Sequence, residues 1–323
     1  MTSKEGLILR RQSYYSSSYR RRRRSPLQFI LKLLLVAACV AAVVLIVLFF
    51  RRAVTATGEI EALKAQNTAL QQEVDALNEL VPEATRAAQL EGTTIAYQEL
   101  YPEMKVSEMQ PFADNKEKTV YLTFDDGPSN NTTAVLDALA ASNAKATFFV
   151  IGKNIAGKED ILKRIVAEGH TLGIHTYSHD YPAVYSSVES FLDDFHQTYQ
   201  AIYQATGVYP TVFRFPGGSI NAYNRDVYQE IISEMLRRGF VYYDWNASCG
   251  DADGSARTWS QMAAMVMDGV GKTDHPIVLL HDGVDKAVTA AALPTILEQL
   301  NAAGYTCEAL DNTVRPITFS YRD

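Results

Sequence analysis

The sequence predicts an α/β fold: a parallel sheet curled into a barrel of about seven strands, preceded by a transmembrane helix and a short coiled-coil stalk. Three observations carry this. Strand-like and helix-like segments alternate from Thr119 to Leu310, and repeated strand–helix units build parallel sheets. Residues 33–50 form a run of 18 apolar residues, close to the ~20 that a helix needs to cross a bilayer. Between these two regions, residues 58–81 place apolar side chains, with Asn67 counted in the series, at alternating spacings of three and four, as a coiled-coil seam does.

Residues 1–28 are a basic tail that includes the block Arg20 to Arg24. Residues 29–50 are apolar apart from Lys32 and read as a signal anchor. The apolar core is too long for a cleaved signal peptide, and Arg51 and Arg52 stand where a cleavage site would begin. Eight Lys and Arg precede Leu27 and only those two arginines follow the run. The positive-inside rule then predicts a single-pass membrane protein with a cytoplasmic N-terminus and everything after residue 52 outside the cell. The charge balance agrees. Residues 1–52 hold 11 Lys and Arg against one acidic residue, whereas the remainder holds 19 against 36. A nucleic-acid-binding chain would carry its positive charge on the folded body instead.

In the stalk, residues 58–81, Ile60, Asn67, Val74 and Val81 occupy heptad position a, and Leu63, Leu70 and Leu77 occupy d. β-Branched residues at a, Leu at d and one buried Asn favour a parallel homodimer. A monomeric amphipathic helix is the other reading, since the stretch is short. Pro82 ends it, and residues 82–116 read as a linker.

The body follows. Strands are expected at Thr119 to Asp125, Thr147 to Ile151, Thr211 to Phe215, Phe240 to Trp245, Ile277 to His281 and Tyr305 to Leu310. Helices are expected at Glu159 to Glu168, Val188 to Ala205, Asp226 to Arg238, Trp259 to Val270 and Ala287 to Ala303. Of the three cysteines, Cys39 lies in the apolar run, which leaves Cys249 with Cys307 as the one pair the sequence allows without requiring it. His170 and His275 read as structural, and His196 as an exposed helix residue.

The chemistry gathers at strand ends, where barrels place reacting groups. The first strand stops at Asp125 and Asp126, followed by a Gly-Pro turn. Adjacent carboxylates repel unless a cation or a proton settles the conflict. His175 and His179 stand four apart and can reach one ion from a helical turn or a tight loop. Alone, such a pair is more often a capping or core feature. With one Asp it makes three ligands and an open fourth position, the pattern of a catalytic zinc. The second Asp is then free to accept a proton. Phe213-Arg214-Phe215-Pro216-Gly217-Gly218-Ser219 exposes backbone N–H groups after a Pro, although by itself it is an ordinary strand-to-loop turn. Ile277 to His281 is an apolar strand ending in a candidate acid.

These segments, in this order, resemble the polysaccharide deacetylases of carbohydrate esterase family 4, the NodB-homology domain, over residues 117–312. The resemblance implies a distorted (β/α) barrel that removes N-acetyl groups from amino-sugar polymers with a divalent metal, zinc first. It implies Asp125 as general base, Asp126, His175 and His179 as metal ligands, and Arg214 as the residue positioning the base. Gly217 would supply the oxyanion N–H, Leu279 the wall for the acetyl methyl, and His281 the general acid. Two departures stand out. An aromatic residue often follows the Pro, and here it is Gly217, so an aromatic sugar contact is expected to be missing. The segment Asp244-Trp245-Asn246-Ala247-Ser248-Cys249-Gly250-Asp251 ends in Asp251-Ala252 rather than Asp-Trp, so Asp251 is assigned to orienting His281, and Trp245 either lines the groove or is core.

The expectation is a membrane-anchored extracellular deacetylase of peptidoglycan N-acetylglucosamine, with chitin-like or exopolysaccharide glycan and O-acetyl xylan as further substrates. A non-catalytic glycan-binding envelope scaffold is the rival reading, and so is an enzyme released by cleavage near Ala56. The scaffold is disfavoured because base, ligands and acid are all present.

Overall fold

The computed structural model describes residues 95–106, 111–113 and 116–319, with helical Ala65 alone before them. The anchor at 29–50 and, apart from Ala65, the stalk at 58–81 lie outside the described residues. The chain divides into two compact units, Met1–Gly92 and Thr93–Asp323. Among the described residues, no helix is long and apolar enough to cross a membrane.

Among the described residues, eight strands, all parallel, form one sheet. They are β1 (Thr119–Asp125), β2 (Thr147–Val150), β3 (Thr171–Ile174), β4 (Val212–Phe213), β5 (Val241–Tyr242), β6 (Ala247–Ser248), β7 (Ile277–His281) and β8 (Thr306–Glu308). The path runs β5-β4-β3-β2-β1-β7-β6, with β8 paired to the first half of β1. No pairing joins β5 to β6 among the described residues, so the expected barrel is a half-barrel of seven strands with an eighth off the path.

Period-two alternation decides which side of β1 and β7 each residue serves. Val120, Leu122, Phe124, Val278 and Leu280 pack outward among the helices. Tyr121 and Ile277 point inward with Phe149, Val212, Val241, Tyr243 and Leu310. The register aligns Asp125 with His281, so base and acid candidates leave adjacent strand ends side by side.

The long helices are α1 (Asn130–Ala141), α2 (Glu159–Ala167), α3 (Val188–Thr206), α4 (Tyr228–Arg237), α5 (Trp259–Val270) and α6 (Ala287–Ala302). Ser129 starts α1 through a capping box with Thr132, and Gly207, at φ 73°, stops α3 in the left-handed region. The sequence reading had no helix at α1 and no strand at β3 or β6. α1 is rich in Asn, Thr and Ala, and its apolar contacts come down to Val135, Leu136 and Leu139. β3 is four residues with a glycine inside, and β6 is two.

Two segments outside 117–312 close the body. At the C-terminal end, the Tyr243 hydroxyl shares its single proton between the carbonyls of Asp311 (2.7 Å) and Val314 (2.6 Å). Asp244 N donates to Ile317 O, and His275 Nε2 to Arg315 O. Val314 and Ile317 of this tail pack on the inner cluster. At the N-terminal end, Arg238 donates to the carbonyls of Tyr97, Leu100, Tyr101 and Met104. His196, expected to be exposed, is instead half-buried against this strap. It meets Glu103 at 2.8 Å and stacks on Tyr101 at 3.9 Å. His170 is buried, as a structural histidine should be, and accepts from Ala146 N; burial holds its pKa down to about 4. Cys249 and Cys307 are free.

Candidate active site

The site stands on the C-terminal ends of β1, β3, β4 and β7. Asp125 is the last residue of β1 and is 2% exposed. Its Oδ1 accepts from Arg214 Nη1 at 3.0 Å. Arg214, itself 1% exposed, spends its other donors on Thr123 Oγ1, Tyr243 O and Asp244 O. Its guanidinium lies 4.5 Å from the Phe149 ring and 5.6 Å from that of Trp245. A planar cation bonded through each of its nitrogens and packed against two rings cannot swing, so it fixes the carboxylate it bridges. Trp245 therefore belongs to the inner cluster. The cleft of about 380 Å³ that it lines with Asn246 and Lys272 opens near the start of β7, since Asn246 bonds Ile277 N.

At Asp126 the backbone turns into the left-handed region, φ 76°, and so do Thr176 (66°) and His179 (54°). Such conformations cost of order 1–3 kcal/mol each in a residue with a Cβ and persist where the surroundings impose them. Here they lie in the two loops that bring Asp126, His175 and His179 together. Asp126 Oδ1 lies 3.7 Å from His175 Nε2 and 3.4 Å from His179 Nε2. The two histidines sit on a loop after β3 rather than on a helix. Asp194, on the buried face of α3, holds that loop by accepting from Tyr177 N and Ser178 N. His175 Nδ1–H donates to Arg214 O at 2.8 Å, which leaves the Nε2 lone pair facing Asp126.

One Asp and two His place ligand atoms within 4.8 Å of one another, and Asp126 Oδ1 is buried without a hydrogen-bond partner. A buried carboxylate oxygen left unpaired is costly unless a cation meets it. Donor set, spacing and orphaned oxygen together fit a divalent metal. Burial, then the neighbouring His175, hold the His179 pKa down to about 4, against the pull of Asp126 and Asp125, so its ring is neutral and able to ligate.

Across from this cluster, His281 ends β7. Asp251 Oδ1 accepts from its Nδ1–H, and Asp251 Oδ2 accepts from its backbone N–H, each at 2.9 Å. Thr289 Oγ1 donates to Asp251 as well. Burial alone would lower the His281 pKa. The Asp251 hydrogen bond and the charges of Asp125, Asp251 and Asp126 outweigh it and raise it to about 9. Burial also pushes Asp251 upward, but its bonds to His281 and Thr289 leave it below the usual carboxylate range.

The loop after β4 completes the site. Gly217 and Gly218 have φ of 76° and 85°. Gly217 is exposed, and its N–H donates to no group among the described residues. Asp244, fully buried, accepts from Ser219 N and Oγ and from Phe319 N, knotting the loop in place. A Cβ at Gly217 would meet Tyr181 Cε1 at 2.8 Å, so the aromatic contact expected to be missing there has a ring standing beside it. Leu279 lies inward on β7, two residues before His281 and in register with Thr123. Thr123, Asp194, Asp244 and Thr289 escaped the sequence reading. Each acts through another residue, and each is an ordinary polar side chain in its local pattern.

Residues 113–235 match the family model for polysaccharide deacetylase. A peptidoglycan-N-acetylglucosamine deacetylase of Bacillus cereus is 31% identical over 217 residues, 64% of this chain and 76% of that protein. The chain belongs to the polysaccharide deacetylase family. It is a hydrolase, a polysaccharide N-deacetylase. A chitooligosaccharide deacetylase of Rhizobium leguminosarum is 30% identical over 215 residues, 61% of this chain and 93% of that one. The crystal structure of the catalytic domain of peptidoglycan N-acetylglucosamine deacetylase from Eubacterium rectale matches with a TM-score of 0.63 and 32% identity, covering 66% of this chain and 98% of that one.

Proposed function

We propose that this deacetylase removes acetyl groups from N-acetylglucosamine of peptidoglycan at the outer face of a cell membrane, to which residues 29–50 anchor it. The observation that carries the reading is the division of labour between adjacent carboxylates. Asp126 faces His175 and His179 with an orphaned oxygen, while Asp125 is pinned by Arg214 outside that cluster. Asp126, His175 and His179 would hold the metal, with zinc the first candidate. When bound, such an ion polarises the acyl carbonyl and acidifies a water.

The chain's own groups supply the remainder. Asp125 accepts the proton of the attacking water, and Arg214 keeps its carboxylate aimed. The free Gly217 N–H donates to the oxyanion as the carbonyl becomes tetrahedral. Leu279 walls the acetyl methyl. His281, kept protonated by Asp251, donates to the amine nitrogen as the C–N bond breaks, giving acetate and a free amine.

Peptidoglycan is favoured by the peptidoglycan deacetylases among the relatives and by the outward topology read from the N-terminal charges. The stalk at 58–81 would pair two chains and lift the domain off the membrane. The test is acetate release by the full-length protein from purified peptidoglycan, chitin oligosaccharides and acetylated xylan. The reading predicts peptidoglycan as the preferred polymer. Preference for chitin oligosaccharides would move the assignment to that substrate, and no release from any of the three would favour the non-catalytic scaffold.

A further inference from the structure

Next to the metal-ligand loop stands an aromatic corner that the chemistry above does not use. Tyr181 opens a one-turn helix (Tyr181–Val184) two residues after His179. Its ring packs edge-on to the His179 imidazole at 5.3 Å and lies against Gly217, where a Cβ would be 2.8 Å from Cε1 and 3.3 Å from Oη. Tyr223 leans on Tyr181 at 5.2 Å with the planes inclined by 59°, and it is 58% exposed.

The loop that presents Tyr223 is fixed. Asn221 Nδ2 donates to the carbonyls of Pro216 and Gly218, and Asn221 Oδ1 accepts from Tyr223 N. The fully buried Asn224 accepts from Asn221 N and donates to Ser219 O. A large ring left exposed on a loop this thoroughly bonded is preorganised, and preorganised aromatic surface costs little entropy to bind on. The corner has one ring against the oxyanion loop and a metal ligand, and a second ring one step farther out. That is the placement a neighbouring sugar of the same chain would need.

We infer that Tyr181 and Tyr223 form a sugar-binding subsite for the pyranose unit next to the one being deacetylated. Tyr181 supplies from the histidine loop the aromatic surface that Gly217 cannot supply from its own position. The apolar C–H face of the pyranose lies on the Tyr223 ring, and its edge meets Tyr181. The inference rests on the glycan reading above.

Calorimetric binding of chitotetraose and of monomeric N-acetylglucosamine to the full-length protein tests it, in an Asp125→Asn background that prevents turnover. Tyr223→Ala should raise the Kd for the tetrasaccharide about tenfold, a typical loss for a stacked ring, and leave the monosaccharide unchanged. Tyr223→Phe should bind like the parent. Equal tetrasaccharide binding by parent and Tyr223→Ala overturns the subsite alone, and so does an equal loss for both ligands. A parent that binds no tetrasaccharide overturns the glycan reading and the subsite with it.

Discussion

Two buried arginines put the same chemistry to opposite uses. Arg214 and Arg238 are 1% and 4% exposed, each faces a buried carboxylate, and each satisfies its remaining donors on backbone carbonyls or a hydroxyl. Arg238 closes its network completely. Glu234 sits between Arg237 and Arg238, and four strap carbonyls take the rest. Arg214 leaves its network open, because Asp125 keeps Oδ2 turned toward the ligand cluster, 3.8 Å from His175 Nε2. A buried ion pair is functional where one partner retains a lone pair at an open site, and architectural where none is left over.

The largest effect that separates the two is on turnover. Arg214→Lys keeps the charge but not the planar fork, so it can hold Asp125 or the Tyr243 and Asp244 carbonyls but not all three. Acetate release should fall by about two orders of magnitude, the scale of a mispositioned general base, with metal content unchanged. Arg238→Ala should do the reverse. It should cost about 3 kcal/mol of stability, the lower end for breaking a buried pair, because Arg237 still pairs with Glu234. Thermal unfolding would show it, and kcat/KM on the folded fraction should match the parent. A large loss of kcat/KM would break the distinction.

A third variant sharpens it through pH. In the proposed mechanism His281 acts while protonated, so activity should be present below its pKa of about 9 and disappear as pH rises through that value. In Asp251→Asn the raising hydrogen bond weakens and burial remains. The alkaline limb of kcat/KM should move down by more than about one pH unit. The stability term has the same sign. A histidine raised above its ordinary value stabilises the fold fully below about 6.5, and that contribution is lost as pH climbs to about 9.

The two arginines also mark where reading the sequence stopped. Arg214 was legible only through the resemblance of its Phe213-to-Ser219 segment to the deacetylases, since by itself that segment is an ordinary strand-to-loop turn. Arg238 stands before Gly239 at a helix end, where a cation is ordinary. Its role depends on carbonyls some 140 residues away in a strap that has no period of its own. The same divide runs through the fold. β1, β7 and α5 announce themselves by apolar runs or periodicity. β3 and α1, short or polar, are formed by their tertiary partners, as the Ser129 hydroxyl bonding Asp282 O shows. Within the site, residues at strand ends were legible. Asp194, Asp244, Thr289 and the Tyr181–Tyr223 corner were not, because their roles are defined by what folds against them.

The proposed division of work between the adjacent carboxylates gives Asp126 the metal and Asp125 the proton. The most direct measurement is metal content and acetate release on peptidoglycan, side by side, for the full-length parent, Asp125→Asn and Asp126→Asn, before and after chelation and metal return. Release by the parent should be lost on chelation and restored by metal. Asp125→Asn should hold metal like the parent yet release about 10³-fold less acetate, and Asp126→Asn should fail to retain metal. Loss of metal from Asp125→Asn, or undiminished release by it, would show that the two carboxylates do not divide the work in this way.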